Sequence, residues 1–253
     1  MRAAPARRPA HRPVASPAPT PTRTARQEEL LELALDLTRE VGLAGLTVRK
    51  LAERAGFTEA ALYRHFHDKQ ALLLAMVERV SQERLLAPLR AIAADRERPA
   101  RERLAAVVRH HVSTILTLEG LPVLILAEAA AAGDEALLAR FRTVVGELRA
   151  VYVGLLVEAG APPEPSAEAL GVVLIGIAAA TALQYRLGLS RAVQREVRDE
   201  LPAFVVERLL GPEREPEQQP ATEPPPPPTP EPAPPPVPAL ASARKRLTER
   251  RRS

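Results

Sequence analysis

Between Leu46 and Leu74 the chain reads LTVRKLAERAGFTEAALYRHFHDKQALLL. Two short helical patterns, about residues 48–55 and 59–66, are separated only by a tight turn, Ala55-Gly56-Phe57-Thr58, and a third pattern starts at Asp68. This is the layout of a helix-turn-helix, in which the second helix enters the major groove of duplex DNA. Gly56 supplies the positive φ that reverses the chain between the two helices. Leu51, Ala52, Ala55, Phe57, Leu62 and Phe66 fit a small core, with the alanines small enough to let the helices cross closely. Thr58 starts the second helix, so that Glu59, Ala60 and Ala61 project from its N-terminus toward base edges. Tyr63 and His65 reach for flanking phosphates. Lys69 adds an ammonium charge to the positive end of the next helix, a ready phosphate site. Glu59 has a second reading, as a solvated first-turn acid that favours the helix dipole.

Helical periodicity continues on both sides. Thr24-x-x-Gln27 fits a capping box. Leu30, Ala34, Leu37 and Val41 follow on one face, and Gly42 stops that helix. A long helix from Asp68 to about residue 94 carries Pro88 as a kink. Further helices are expected at about 100–119, 122–132, 135–159, 167–188 and 193–210, the last interrupted near Pro202. No alternating strand pattern occurs, so the fold class is all-α: a three-helix helix-turn-helix unit followed by a helical bundle. The expected organisation is a disordered basic arm (1–23), a DNA-binding domain (24–70), an effector-binding and dimerisation domain (71–211), and a disordered Pro-rich tail with a basic end (212–253).

Composition narrows the function classes. The chain has no cysteine, which removes disulfides and thiolate metal sites. Aromatic residues make up only 3 %, too few for stacking platforms that read single-stranded nucleic acid. Residues 1–26 hold six arginines and no acid, and residues 244–253 hold six Lys or Arg against Glu249; with a net charge of +4, the rest is net acidic. The basic pI therefore belongs to the tails and says little about the folded body. The tails are read either as electrostatic tethers to DNA or as solubilising segments. Met1 to Thr24 lacks an apolar core of a signal peptide. The longest apolar run, Ala169 to Leu183, falls short of the ~20 residues of a bilayer span. A cytoplasmic location, at the nucleoid, is expected, with no membrane. No nucleophile–base pair, phosphate-cradling glycine loop or metal-ligand spacing is present, so neither an enzyme, a metal site nor a cofactor is expected.

At these residues the chain resembles the TetR family of one-component repressors. The resemblance rests on Leu46-Thr47, Leu51-Ala52, Gly56-Phe57-Thr58, Leu62-Tyr63-x-His65-Phe66 and Lys69-x-x-Leu72-Leu73. It implies an all-helical homodimer, paired through its last two helices, whose N-terminal helices bind a palindromic double-stranded operator. A small molecule in a C-terminal pocket would release the DNA. It also implies that Thr47, Val48 and Arg49 touch DNA at the start of the first motif helix, and that Thr58, Glu59 and Ala60 lie at the base-reading end of the second. Tyr63, Arg64, His65 and Lys69 would follow along the phosphates. Many members have Gly-Thr or Gly-Ala where this chain has Ala60-Ala61, which leaves the operator sequence open. The alternative function is a nucleoid-associated structural protein of the same fold without an effector.

In the C-terminal region four polar groups interrupt apolar seams: His111, Glu128, Tyr152 and Gln184. They either satisfy one another or anchor a ligand in a largely apolar pocket. The abundance of Leu, Val, Ile and Ala favours a small, apolar, aliphatic effector. Small residues Gly171, Gly176 and Ala178–Ala180 permit close approach, either to a symmetry mate or within one subunit. Phe204, Val205, Leu209 and Leu210 offer the matching surface.

Overall fold

The computed structural model describes residues 24–212; the expected arm and Pro-rich tail lie outside the described residues, save Pro212. Among the described residues there are eleven α-helices, one π-helical turn and no strand.

The first helix, α1 (Ala25–Gly45), begins at Thr24. Its hydroxyl accepts from the Gln27 N–H, and the Gln27 side chain accepts from the Thr24 N–H, closing a capping box. Leu30, Leu31, Ala34, Leu35, Leu37 and Thr38 make its buried face. Gly42, at φ 74°, breaks the regular helix where the apolar periodicity ends. Then follow α2 (Val48–Ala55) and α3 (Glu59–Tyr63). A bidentate pair of Arg54 with Glu40, at 2.7 and 2.6 Å, ties α2 back to α1.

The long helix expected from Asp68 is present but not uniform. It divides into α4 (Lys69–Arg79), a π-helical turn (Val80–Leu86) and α5 (Ala87–Ala94), all in right-handed helical conformation at their junctions. Ala87 donates to the Gln82 carbonyl, five residues back. Pro88 has no N–H, so the Arg84 carbonyl cannot receive the usual bond from four residues on. It accepts instead from His110 Nε2 at 2.9 Å and from the Thr114 hydroxyl at 3.4 Å. The proline thus yields a widened helical turn, its freed carbonyl held by the neighbouring helix.

That neighbour, α6 (Ala100–Thr117), is central: α5, α8, α9 and α11 all pack on it. Its C-terminus turns by 72° into α7 (Leu121–Ala132) through Glu119 and Gly120, both at positive φ. A Cβ on Gly120 would sit 3.0 Å from the Ala182 carbonyl oxygen, so the elbow can press on α9 only with glycine there. The bundle is completed by α8 (Glu135–Glu158), α9 (Ala167–Arg186), α10 (Arg191–Asp199) and α11 (Leu201–Leu210). The break expected near Pro202 falls between α10 and α11, which puts the proline in the first turn of α11.

Two apolar cores result. One joins α1–α4 to Leu118, Leu121, Ile125, Ala129, Leu137 and Phe141. The other fills the space among α5, α6, α8, α9 and α11. The first core does not stop at residue 70: Leu72, Leu73, Met76, Val77 and Val80 of the long helix belong to it. By length and composition α9 could cross a membrane, yet it packs against α6 and α8.

Candidate nucleic-acid interface and ligand cavity

The geometry around α2 and α3 is set by three local devices. The Thr47 hydroxyl accepts from the Lys50 N–H at 3.2 Å and starts α2. Gly56, at φ 70° and ψ 30°, ends it; its N–H bonds to the Ala52 and Glu53 carbonyls, and Phe57 N–H returns to Ala52 at 2.9 Å. The Thr58 hydroxyl accepts from the Ala61 N–H at 3.2 Å and starts α3. Both threonine hydroxyls keep their own proton to donate outward.

On this frame Leu62 is 0 % exposed while the adjacent Tyr63 is 47 % exposed. Thr58, Glu59, Ala60, Tyr63 and Arg64 all face solvent, as do Thr47 and Arg49. The structure therefore brings seven of the ten expected DNA-contacting residues to the surface. Arg49 pairs with Glu53 at 3.0 Å; that hydrogen bond, with Glu59 adding to it, raises its pKa.

Four expectations here need correction. Val48 is buried in the first core and offers no side chain to DNA: with Leu51 and Ala52 it forms the inward face of α2. The second motif helix spans Glu59–Tyr63, not 59–66; His65 and Phe66 lie beyond it, both donating their N–H to the Leu62 carbonyl. His65 is half-buried, its ring stacked 6.4 Å from that of Phe57. Lys69 is not a free cation. Its Nζ bonds to Glu128 Oε1 at 3.0 Å and to the Leu43 carbonyl at 3.3 Å. Beside it, Gln70 donates to Asp134 at 2.7 Å, and Asp134 also caps α8. The start of α4 is thereby fastened to the end of α7 and the start of α8.

Of the two readings for the four polar residues, a shared pocket is not what the structure forms: His111 and Tyr152 satisfy each other, and the other two lie elsewhere. A cavity of ≈ 140 Å³ lies between the two cores, and of the four only His111 lines it. Glu128 is committed to Lys69. Gln184 is exposed on α9. Tyr152 is wholly buried, its hydroxyl 3.1 Å from His111 Nδ1. Burial lowers the His111 pKa to about 4, with His110 adding to the shift, so the ring is neutral near pH 7. Burial raises that of Tyr152, which keeps its proton.

Sequence reasoning missed that the cavity wall includes Leu35 of α1 and Met76 and Val77 of α4, along with Val80, Ser81 and Leu85 of the π-helical turn. Pro88 was the available signal for the irregular turn. Nothing local marks Leu35, whose role depends on a packing partner more than 40 residues away.

Comparison with known proteins agrees with this geometry. Residues 30–76 match the family model for bacterial regulatory proteins of the tetR family. The class A tetracycline repressor protein from transposon 1721 of Escherichia coli is 54 % identical over 54 residues. That match covers 21 % of this chain and 25 % of the repressor. The nucleoid occlusion factor SlmA of Haemophilus ducreyi is 38 % identical over 58 residues, covering 22 % of this chain and 29 % of that protein. The chain thus spans only about a quarter of the length of these two relatives. A solved transcriptional regulator of the TetR/AcrR family from Thermobifida fusca YX-ER1 superposes with a TM-score of 0.54 at 25 % identity. This superposition covers 76 % of this chain and 100 % of that one. Helix caps, turn, exposed α3 edge and helical bundle together agree with these matches: residues 30–76 belong to the tetR family of bacterial regulatory proteins, and the described residues share the fold of a TetR/AcrR-family regulator.

Proposed function

We propose that this protein is a homodimeric, sequence-specific regulator of transcription that represses from a palindromic operator and is released by a small, largely apolar ligand. The observation that carries the reading is the exposed edge Thr58–Arg64, held rigidly on buried Leu62 by a capped helix start. Residues 24–70 read DNA and residues 71–211 hold the ligand and the dimer contact. Glu59 and Ala60 meet base edges, Glu59 accepting from cytosine N4 and Ala60 touching a thymine methyl. Thr47, Arg49, Thr58, Tyr63 and Arg64 fix the register on the backbone. The protein acts where the chromosome is, in the cytoplasm.

Dimerisation is supported by an uncovered apolar face. Val172, Val173 and Leu183 of α9, Leu187 just after it and Phe204 of α11 are each at least half exposed. The small residues divide between both readings: Gly171 and Ala178 pack inside the subunit, Ala179 borders the cavity, and Gly176 and Ala180 lie open for a second copy. A two-fold through this face presents two α3 edges to successive turns of one groove.

The release mechanism follows from the position of the cavity. Its wall is shared by α1 and α4, which carry the reading edge, and by α6–α9. A ligand that fits only one separation of these two sets shifts the equilibrium between DNA-competent and incompetent states. Couplings of about 1–3 kcal/mol would change operator affinity roughly 5- to 150-fold.

The test is a fluorescence-anisotropy titration of the full chain with a selected operator duplex and with random duplex at fixed salt. A ratio of about 10³ or more supports the regulator. A ratio near unity sinks it and favours a structural nucleoid-binding role.

A further inference from the structure

The cavity wall carries one polar hydrogen with no partner, and it identifies the kind of molecule the cavity holds. Three polar side chains line the cavity: Ser81, His111 and Thr114. Ser81 donates to the Glu78 carbonyl at 3.2 Å and accepts from Arg140 at 3.4 Å. Thr114 donates to the Arg84 carbonyl. Both hydroxyl protons are therefore spent. His111 differs. Its Nδ1 faces the Tyr152 hydroxyl at 3.1 Å, and neither ring nor hydroxyl has another hydrogen-bond partner among the described residues.

The tautomer follows from accounting for the buried hydroxyl proton. Tyr152 is 0 % exposed, so its O–H must donate within the protein or be left unpaired, a costly state. Nδ1 is the acceptor within reach, and it can accept only if it carries no proton. The ring proton then sits on Nε2. The His111–Tyr152 pair thus leaves an Nε2–H donor on a ring that lines the cavity.

Size and charge complete the description. No Lys, Arg, Asp or Glu lines the cavity, and the nearby Arg140 and Glu78 are paired with each other. An ionised group would lose its hydration there without a counter-charge. The volume, ≈ 140 Å³, is close to that of the engineered apolar cavity that holds one benzene. This suits about six to eight non-hydrogen atoms at interior packing density.

Resting on the reading of this cavity as the effector site, we infer that its ligand is an uncharged, predominantly apolar molecule carrying a single hydrogen-bond acceptor, such as a ketone or ester carbonyl, which the Nε2–H of His111 binds. Tyr152 is a positioning residue that fixes the tautomer from outside the cavity. A carbonyl entering the cavity satisfies the one unpaired donor, whereas a hydrocarbon of the same shape leaves it unpaired.

The test uses the full chain and two isosteric probes, cyclohexanone and methylenecyclohexane, titrated by calorimetry into the native protein and His111→Phe. The inference expects the ratio of hydrocarbon to ketone dissociation constants to fall about tenfold in the variant. Volume changes at the site affect both probes and cancel. Two measurements need no variant. The infrared carbonyl stretch of bound cyclohexanone lies below its value in alkane solvent, and 15N NMR of the histidines shows one buried neutral ring protonated at Nε2. An unchanged ratio, an unshifted carbonyl stretch or an Nδ1-protonated ring overturns the inference, as does tighter binding of cyclohexanecarboxylate than of cyclohexanone. None of these outcomes bears on whether cavity occupancy releases operator: a cavity that prefers the hydrocarbon is still an effector site if the operator titration responds to it.

Discussion

Around α2 and α3, each device that shapes the outer edge lies within a few residues of what it acts on. Thr47 caps at Lys50, Thr58 caps at Ala61, and Gly56 closes on Ala52 and Glu53. Around the cavity the spans are much longer: 41 residues from His111 to Tyr152, 59 from Lys69 to Glu128 and 64 from Gln70 to Asp134. The edge is specified by local rules that any copy of the motif must obey. The cavity is specified by which helices meet, a property of the whole bundle. One region can therefore be shared among relatives that match over little else, as the 54-residue likeness to the tetracycline repressor illustrates.

The comparison can be broken most severely from beneath the edge. Leu62 is 0 % exposed and anchors α3 on the first core. Leu62→Ala is expected to destabilise the protein by about 2–5 kcal/mol, read from urea denaturation, and to abolish operator binding. A loss below about 1 kcal/mol would mean that α3 is not held by this core.

A second test addresses the cavity side. His111 is neutral and buried, with its pKa lowered to about 4 from the usual value near 6.5. The unfolded chain binds this proton first as pH falls. The stabilising contribution is therefore complete above about pH 6.5 and is lost progressively toward pH 4, on the order of 3 kcal/mol in all. Urea denaturation of the native protein and of His111→Leu between pH 7 and 4.5 separates this contribution from that of the carboxylates. The native curve should fall more steeply with acid; parallel curves would show that His111 charges freely in the fold.

How much of the molecule could be read from sequence follows the same division. The capping box at Thr24, the Gly56 turn, the Thr58 cap and the Gly120 and Pro202 breaks are local, and each helix was expected within a few residues of its observed bounds. Val48 was misjudged although its signal was present. Val48, Leu51 and Ala52 stand at i, i+3 and i+4, the spacing of an inward face, while resemblance to family positions pointed the other way. Glu128 shares a face with Leu121, Leu124 and Ile125, but nothing in α7 says that this face ends against Lys69. His111 and Tyr152 stood out as polar residues on apolar seams. That one lines the cavity and the other stands behind it depends on how α6 and α8 pack.

A milder perturbation tests the local rule alone. Thr58→Ala removes the hydroxyl that caps α3 and leaves the core intact. The expected cost is about 1 kcal/mol of stability. Operator affinity should fall further than this, because Thr58 is also exposed on the edge proposed to read DNA. If affinity and stability fall equally, Thr58 only caps.

The smallest change falls where the two regions meet. The Lys69–Glu128 pair is about one-third exposed at both ends, so Glu128→Gln should cost no more than about 0.5 kcal/mol of stability. Its effect on DNA should be larger and opposite in sign. With Glu128 in place, a backbone phosphate must compete with a carboxylate for the Lys69 ammonium. With glutamine there, the charge competition is gone and Lys69 is free to neutralise a phosphate at the positive end of α4. Operator affinity should rise at low salt, and the slope of log K against log salt should steepen by about 1.8 for the dimer, or about 0.9 for each of its two additional phosphate contacts. Lys69→Gln in the same background should remove the gain. An unchanged slope in Glu128→Gln would show that Lys69 serves only to fasten α4 to α7, and would leave the reading edge without a charged link to the cavity.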